Sequence, residues 1–382
     1  MPNLGSGRVN DGTVGRLTRV QQQELNRSRV LTAARAEFSE RGFRRATVAD
    51  IAVRADLTRG AVYSNFPGKR ALYLAVLAEE AESAGEVVHA HADTPSGALG
   101  VFASTWVERL PRTNNYEYQG SVQLTSPMLG VDLIPEILTE EHFQRPFAQL
   151  VKLDAVLLGF ALERMHQHPH LPGASVRMAG VAESVLTVLY GASQLSFVAP
   201  DFVDPAKVIA TCRHITSIAI DDRWTRPDAA EVAVETVHEE WSCPRATDVV
   251  RGKPVTIDDG TVAVVGMNRL DHIEHLARTA PNDAPVTAVL VTADAAELAP
   301  LARLALADLC RSLRQAFPSP TWPHLQVIVD PDADIAAACG VTNVDDDTEA
   351  AVSISDGHIR ARSIGPGACA RADALRSAAR GR

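Results

Sequence analysis

The hydrophobic period of this chain changes once, near Pro254, and that change constrains the fold more than any other feature. Upstream, from Gln22 to about Trp224, apolar residues recur at three and four positions and strand-like alternation is scarce, the pattern of amphipathic helices. Downstream, β-rich runs appear at residues 261–267 (TVAVVGM), 286–292 (VTAVLVT), 325–330 (LQVIVD) and 351–354 (AVSI). Helical patterns lie between them at 270–279, 295–317 and 334–339, and such alternation specifies an α/β domain. With 382 residues the chain has room for two or three domains, and no internal repeat is visible.

Charge is divided unevenly. Residues 1–75 hold 13 Arg+Lys against 6 Asp+Glu, a balance of +7, while the other 307 residues hold 24 against 41, a balance of −17. A basic front end on an acidic body suits a nucleic-acid reader joined to something else. No run approaches the roughly 20 uninterrupted apolar residues of a membrane span. The first twenty residues are polar, Gly-rich and arginine-bearing, with no secretory apolar stretch. The expectation is a soluble, cytoplasmic protein with no membrane partner.

The five cysteines (Cys212, Cys243, Cys310, Cys339 and Cys369) show neither CxxC nor zinc-ligand spacing. Each reads as a small buried hydrophobe. The run His166-Gln167-His168-Pro169-His170 reads as a loop rather than a metal site, because prolines break it and no cysteine lies nearby. No P-loop, no GxGxxG after a strand and no Ser/His/Asp spacing stands out, so no catalytic residue, cofactor or metal is expected.

The front end carries the clearest local signals. A helix over residues 24–41 has an apolar stripe of Val30, Leu31, Ala34 and Phe38, with Gly42 placed to end it. Thr47-Val48-Ala49-Asp50 is a capping box opening a second helix to about Ala55. After a turn at Asp56-Leu57, Thr58 caps a short third helix over 58–65, with Leu57 and Val62 as a hydrophobic staple. A fourth helix begins near Gly68. Two short helices behind a bracing one form a helix-turn-helix, whose second helix starts with the small residues Gly60 and Ala61.

The stretch TVADIAVRADLTRGAVYSNFPGKRALYLAVL resembles the N-terminal domain of TetR-family transcriptional regulators, through Thr47, Gly60, Tyr63, Phe66 and Lys69. The resemblance covers about 60 residues. It implies that Thr47, Tyr63, Asn65 and Lys69 hold phosphates of double-stranded operator DNA, while Thr58, Arg59, Gly60 and Ser64 face the groove floor. Asn65 stands where many members carry histidine, and an amide still donates to phosphate. The resemblance also implies a repressor acting as a homodimer and released by a small-molecule effector.

The expected order is therefore an arm at residues 1–22, a DNA-binding domain at 23–80 with its motif at 47–66, and an all-α dimerisation and effector domain at 81–225. A linker at 226–252 leads to an α/β domain at 253–372. Helices over 175–195 and 205–220 are the expected dimer helices, through Val181, Val185, Val188, Leu189, Val208, Cys212, Ile215 and Ile218. Phe102, Trp106, Phe143, Phe147, Tyr190 and Gln194 are candidate effector contacts, with plain core as the competing role. The α/β segment resembles thioredoxin-like, more narrowly peroxiredoxin-like, domains through VIVDPDADIAAACGV and the hairpin SDGHIRARSIGPG with its Asp356-Gly357 turn. The thiol chemistry of that fold needs a low-pKa cysteine at a helix start. Residues 292–297 read TADAAE, and Asp347-Thr348-Glu349 stands where a proline is expected. A redox-sensing or enzymatic tail tethered to DNA is the alternative. The leading expectation treats the tail as separable, so that a chain ending near Arg245 still binds operator.

Overall fold

The computed structural model describes residues 18–83, 92–108, 133, 140–166, 177–218, 220, 222, 232–280 and 284–379. Helix α1 (Arg19–Arg45) opens with a capping box: Thr18 Oγ1 accepts from the Gln21 backbone, and the Gln21 side chain accepts from Thr18 N–H. It begins before the apolar stripe because its first turns are exposed and leave no hydrophobic period to read. Gly42, at φ +70°, breaks the helix. Helices α2 (Val48–Arg54) and α3 (Arg59–Tyr63) are capped by Thr47 and Thr58 as their sequences predict.

Helix α4 (Lys69–Ser83) is buried over every residue from Ala71 to Ala78. One neighbour cannot cover a helix on all sides. The second neighbour comes from the far end of the chain.

The body contains α5 (Pro95–Val107), α6 (Glu141–His166), α7 (Ala179–Val198) and α8 (Pro205–Ile215). Among the described helices α7 alone is long and apolar enough to cross a bilayer, and 44% of its apolar window is buried against the protein. Of the histidine run, only His166 is described; it bonds Leu162 O at the end of α6, and His168 and His170 lie outside the described residues.

The tail is built on a six-stranded sheet in the order β1-β8-β7-β4-β5-β6. Its strands are β1 (Glu235–Glu240), β4 (Gly260–Gly266), β5 (Val286–Val291), β6 (Leu325–Val329), β7 (Glu349–Ser355) and β8 (His358–Ile364). Strands β4, β5 and β6 run parallel, whereas β7, β8 and β1 continue the other side antiparallel. The turn between β7 and β8 puts Asp356 (φ +51°) and Gly357 (φ +68°) in the left-handed region, as a two-residue hairpin requires. Strands β2 (Ala246–Asp248) and β3 (Lys253–Val255) pair separately. Thus the stretch read as a linker holds β1 and β2: its alternation is masked because β1 is an exposed, acidic edge strand with almost no apolar face.

Side chains of the sheet alternate between two cores. Val262, Val264, Val289 and Ile328 face α11 (Asp334–Ala338), while Ala263, Val265, Ala288, Leu290 and Val327 join a core that runs unbroken into the helical body and the head. Helix α9 (His272–Thr279) and α10 (Leu298–Ala316) lie on this second face. In α10, 16 of 19 residues are buried, so it is an internal helix. It packs chiefly on α4, then on α6 and α5. Arg70 Nε of α4 donates to Glu297 at 2.8 Å, and Arg303 of α10 pairs with Glu82 of α4. The tail therefore completes the helical body, contrary to the expectation of a separable module. Helix α12 (Ala372–Ala379) closes the chain against β7 and β8.

The junction with α9 is ionic and buried. Arg278 donates to Glu163 of α6 at 2.8 Å and to Glu274 at 2.7 Å; Arg177 donates to the same Glu274 at 2.7 Å. Glu163 also accepts from Met178 N–H at the start of α7. Elsewhere His142, Asp294 and Glu297 bring ligand-type atoms within 4.8 Å of one another. Arg70 already neutralises Glu297 there, so the trio is part of the α4–α6–α10 ion-pair junction.

Candidate nucleic-acid interface

The turn between α2 and α3 fixes the pair. Asp56 takes φ +54°, a conformation aspartate tolerates, and Leu57 N–H bonds back to Ala52 O at 3.0 Å. Arg29 of α1 holds the Asp56 carboxylate at 3.3 Å. Val62 and Phe66 are buried, anchoring one side of α3 in the head's core. Arg59 and Tyr63, and Gly60 and Ser64, are i,i+4 pairs on the opposite side, and all four are exposed.

An open cleft of about 470 Å³ lies beside α3, lined by Arg44, Ala46, Thr47, Val48, Ala49, Arg59, Tyr63 and Lys69. Four of the residues singled out from sequence meet there: Thr47, Arg59, Tyr63 and Lys69. Thr58, Gly60, Ser64 and Asn65 lie outside it, along α3 and its end. Arg44 is the member that sequence reasoning missed; its signal is the Arg44-Arg45 pair ahead of the Thr47 cap.

The eight residues differ in readiness. Thr47 Oγ1 donates to Asp50 at 2.7 Å, and Thr58 Oγ1 accepts from Ala61 N–H. Ser64 and Asn65 both donate to Ala61 O at 2.9 Å. Lys69 Nζ donates to Phe43 O at 2.9 Å and Ala46 O at 3.3 Å, over the Phe43 ring, so two of its three N–H groups brace the α1–α2 corner. Arg59 and the Tyr63 hydroxyl have no side-chain partner among the described residues; Tyr63 is 53% exposed. They present donors without giving up an internal bond.

Gly60 supports the same orientation. A Cβ there would meet nothing nearer than Thr58 Oγ1 at 3.8 Å, so the protein's own packing does not require glycine. What a side chain would obstruct is an approach from outside, as when backbone comes close to a nucleic acid. Arg41 and Arg54 both pair with the buried Glu37.

Of the candidate effector contacts, Phe102, Trp106 and Phe143 are buried, while Phe147, Tyr190 and Gln194 are partly covered. Trp106 and Tyr190 meet edge to face at 5.2 Å, Phe147 meets Tyr190 at 6.1 Å, and Trp106 Nε1 donates to Ser193 at 2.9 Å. Phe143 lies apart from that chain of rings, against His142 and under Arg70.

No curated protein matches the chain. Among solved structures, it is similar to a TetR transcriptional regulator from Rhodococcus sp. RHA1, at 19% identity and TM-score 0.29, over 51% of this chain and 94% of that one. It is also similar to a structure described as the molecular basis for control of antibiotic production by bacterial hormones, at 20% identity and TM-score 0.30, over 50% and 95%. Residues 30–76 match the family model of the tetR family of bacterial regulatory proteins. That span holds α2, α3, the turn between them and every residue lining the cleft, and over it the chain is a helical domain similar to those of the tetR family of bacterial regulatory proteins.

Proposed function

We propose that the protein is a cytoplasmic transcriptional repressor that binds a near-palindromic operator as a homodimer and releases it when a small-molecule effector enters the helical body. The observation that carries this reading is α3: its exposed side offers Arg59 and Tyr63 beside a cleft with Thr47 and Lys69. Arg59 suits a base edge, and Thr47, Tyr63, Asn65 and Lys69 suit phosphates. Thr58, Gly60 and Ser64 border the groove floor. One short helix reads too few base pairs for useful specificity, so two copies are required.

The apolar surface that a second copy would cover differs from the sequence expectation. Val185, Leu189, Cys212 and Ile215 are buried inside the protomer. Leu195, Val198, Phe202 and Ile218 are exposed, at 39%, 80%, 75% and 59%. This outward set, on the end of α7 and around α8, is the dimer surface we propose. The aromatic wall of Trp106, Tyr190 and Phe147 is the effector wall. The tail is read as thioredoxin-like in its succession of strands and helices along the chain and its DG hairpin, with a packing role.

Thiol chemistry is not favoured. Burial pushes Cys339 up to about 12 and Cys212 up to about 11, and raises Cys310 and Cys369 as well. Gel shift with DNA flanking the protein's own gene tests the main reading. Arg59→Ala is expected to relax sequence preference and cost about 1–3 kcal/mol at one base position per half-site. An unchanged affinity and preference would exclude α3 as the reading helix. Val198→Asp with Phe202→Asp is expected to give monomers in sedimentation; an intact dimer would move the interface elsewhere.

A further inference from the structure

The corner between α1 and α2 holds two arginines between two buried anchors. Gly42 interrupts α1 at φ +70°, and Ala46 N–H closes the turn on Gly42 O at 3.2 Å. Phe43 and Ala46, at the two ends of the corner, are 8% and 1% exposed. The Phe43 ring lies 6.2 Å from that of Phe38 and 4.8 Å from that of Tyr73. Arg44 and Arg45, between the anchors, are both exposed.

Lys69 ties the anchors together from α4. Its Nζ donates to Phe43 O at 2.9 Å and to Ala46 O at 3.3 Å, and it stands 4.3 Å from the centre of the Phe43 ring. An ammonium has three donors, and two of these go to backbone at one corner. Bonding both carbonyls sets the separation of the corner's ends, and with it the direction of the residues between them. Arg44 thereby becomes part of the wall of the cleft that Arg59 and Tyr63 of α3 also line, whereas Arg45 does not line it. The Asp50 carboxylate, on the same side, accepts from Arg41 at 3.2 Å and from Thr47 Oγ1 at 2.7 Å.

We propose that this corner is a phosphate-binding element of the DNA interface, with Arg44 as the contact and Lys69 as the residue that positions it. In a helix-turn-helix the second helix lies in the major groove while the first crosses the backbone. The corner leads directly into α2, the first of the pair, so Arg44 stands beside the strand that borders the groove. A guanidinium there meets phosphate oxygens as a two-pronged donor. Base preference stays with α3, because phosphates carry no sequence information. The proposal deepens the repressor reading and rests on its assignment of α3 as the DNA-reading helix. It adds a contact from outside α3 and gives Lys69 a second task. Whatever phosphate its third N–H reaches, the other two hold Arg44 in place.

Gel shift of the full chain between about 50 and 200 mM salt tests this, on a duplex that the wild type selects from a random-sequence pool. Arg44→Ala is expected to weaken binding about tenfold per bound copy, with base preference unchanged. The slope of log affinity against log salt is expected to flatten by about 0.9 per copy. Arg44→Lys keeps the charge and is expected to keep the slope. Arg45→Ala, off the cleft wall, is expected to weaken binding less than about threefold. Unchanged affinity and slope in Arg44→Ala would overturn the contact. Equal losses in Arg44→Ala and Arg45→Ala would reduce it to overall charge and overturn it as well.

A double-mutant cycle tests the positioning role. Lys69→Met keeps the stem over Phe43 and removes the ammonium. Combined with Arg44→Ala, it is expected to cost less than the sum of the two single losses, since Arg44 reaches its phosphate only from a braced corner. Additive losses would overturn the role of Lys69. Lys69→Gln, which retains a donor, carries the cycle if Lys69→Met does not melt cooperatively. Selection of no duplex by the wild type would remove the DNA-reading assignment and the corner with it. Wild-type binding with an inert Arg44→Ala would remove the corner alone.

Discussion

The helix-turn-helix head and the α/β tail organise their polar residues in opposite ways. On α3, Arg59, Gly60, Tyr63 and Ser64 point outward from a helix anchored by Val62. On α10, Asp308, Arg311, Ser312 and Gln315 point inward, within a helix buried on nearly every side. Outward polar groups can be read from local spacing because water is their default neighbour and needs no explanation. Inward polar groups acquire meaning only from what packs against them. The head is therefore the part whose chemistry is exposed, and the tail the part whose removal would open the core.

The largest expected effect sharpens that contrast. Ending the chain near Arg245 strips α10 from α4, α5 and α6, exposing the row Ala71–Ala78. Loss of cooperative thermal unfolding and of DNA binding is expected together. The single substitution Leu304→Ala, at a fully buried α10 position, is expected to cost about 2–5 kcal/mol in denaturant unfolding. A truncated chain that melts cooperatively and still shifts DNA would make the tail separable after all.

The next effect concerns the buried ionic junction. Arg278→Ala leaves Glu163 and Glu274 without their shared guanidinium, and breaking a buried pair this way is expected to cost about 3–5 kcal/mol. Destabilisation below about 1 kcal/mol in chemical denaturation would show that water replaces the guanidinium there.

In the head, Gly60→Ala should separate fold from function. It removes a glycine from a short helix with room for a methyl group, so stability is expected to rise by about 0.5–1 kcal/mol. DNA binding is expected to fall because the methyl stands on the approach side. If gel shift and melting moved in the same direction, the close-approach role of Gly60 would be lost.

The smallest effect is a pH dependence in the tail. His272 Nδ1 lies 2.9 Å from Glu349, whose carboxylate also accepts N–H bonds from Gly367 and Cys369. The hydrogen bond it donates to Glu349 raises His272 above its ordinary 6.5 despite burial. Burial pushes Glu349 up, but the His272 bond, the Gly367 and Cys369 N–H bonds and the His272 charge together lower it below 4.5. The histidine's contribution is complete below about 6.5 and is lost as pH rises through its folded value. The carboxylate's contribution is present above about 4.5 and is lost as pH falls through its own. Stability should therefore crest between those limits, and His272→Gln should flatten the alkaline shoulder in thermal melts across pH. An unchanged shoulder would detach His272 from it.

How legible each part was follows from the range of the forces that make it. Thr47, Thr58, Gly42 and the Asp356-Gly357 turn act on neighbours within a few residues, so the head's helices and the terminal hairpin could be placed from spacing alone. The exposed set around α3 was legible for the same reason, except Arg44, whose place in the cleft depends on the corner that Lys69 braces. Edge strand β1 was not, since pairing with β8 rather than any apolar face makes it a strand. The uninterrupted apolar row of α4 signalled a second neighbour without saying which. By itself the sequence determined where helices start, where chains turn and which short helix faces outward, because capping and backbone sterics are local. Only the tertiary structure decided that α10 fills the body and that Val185 and Ile215 lie inside the protomer. Burial joins residues far apart in the chain, and no local pattern specifies the partner.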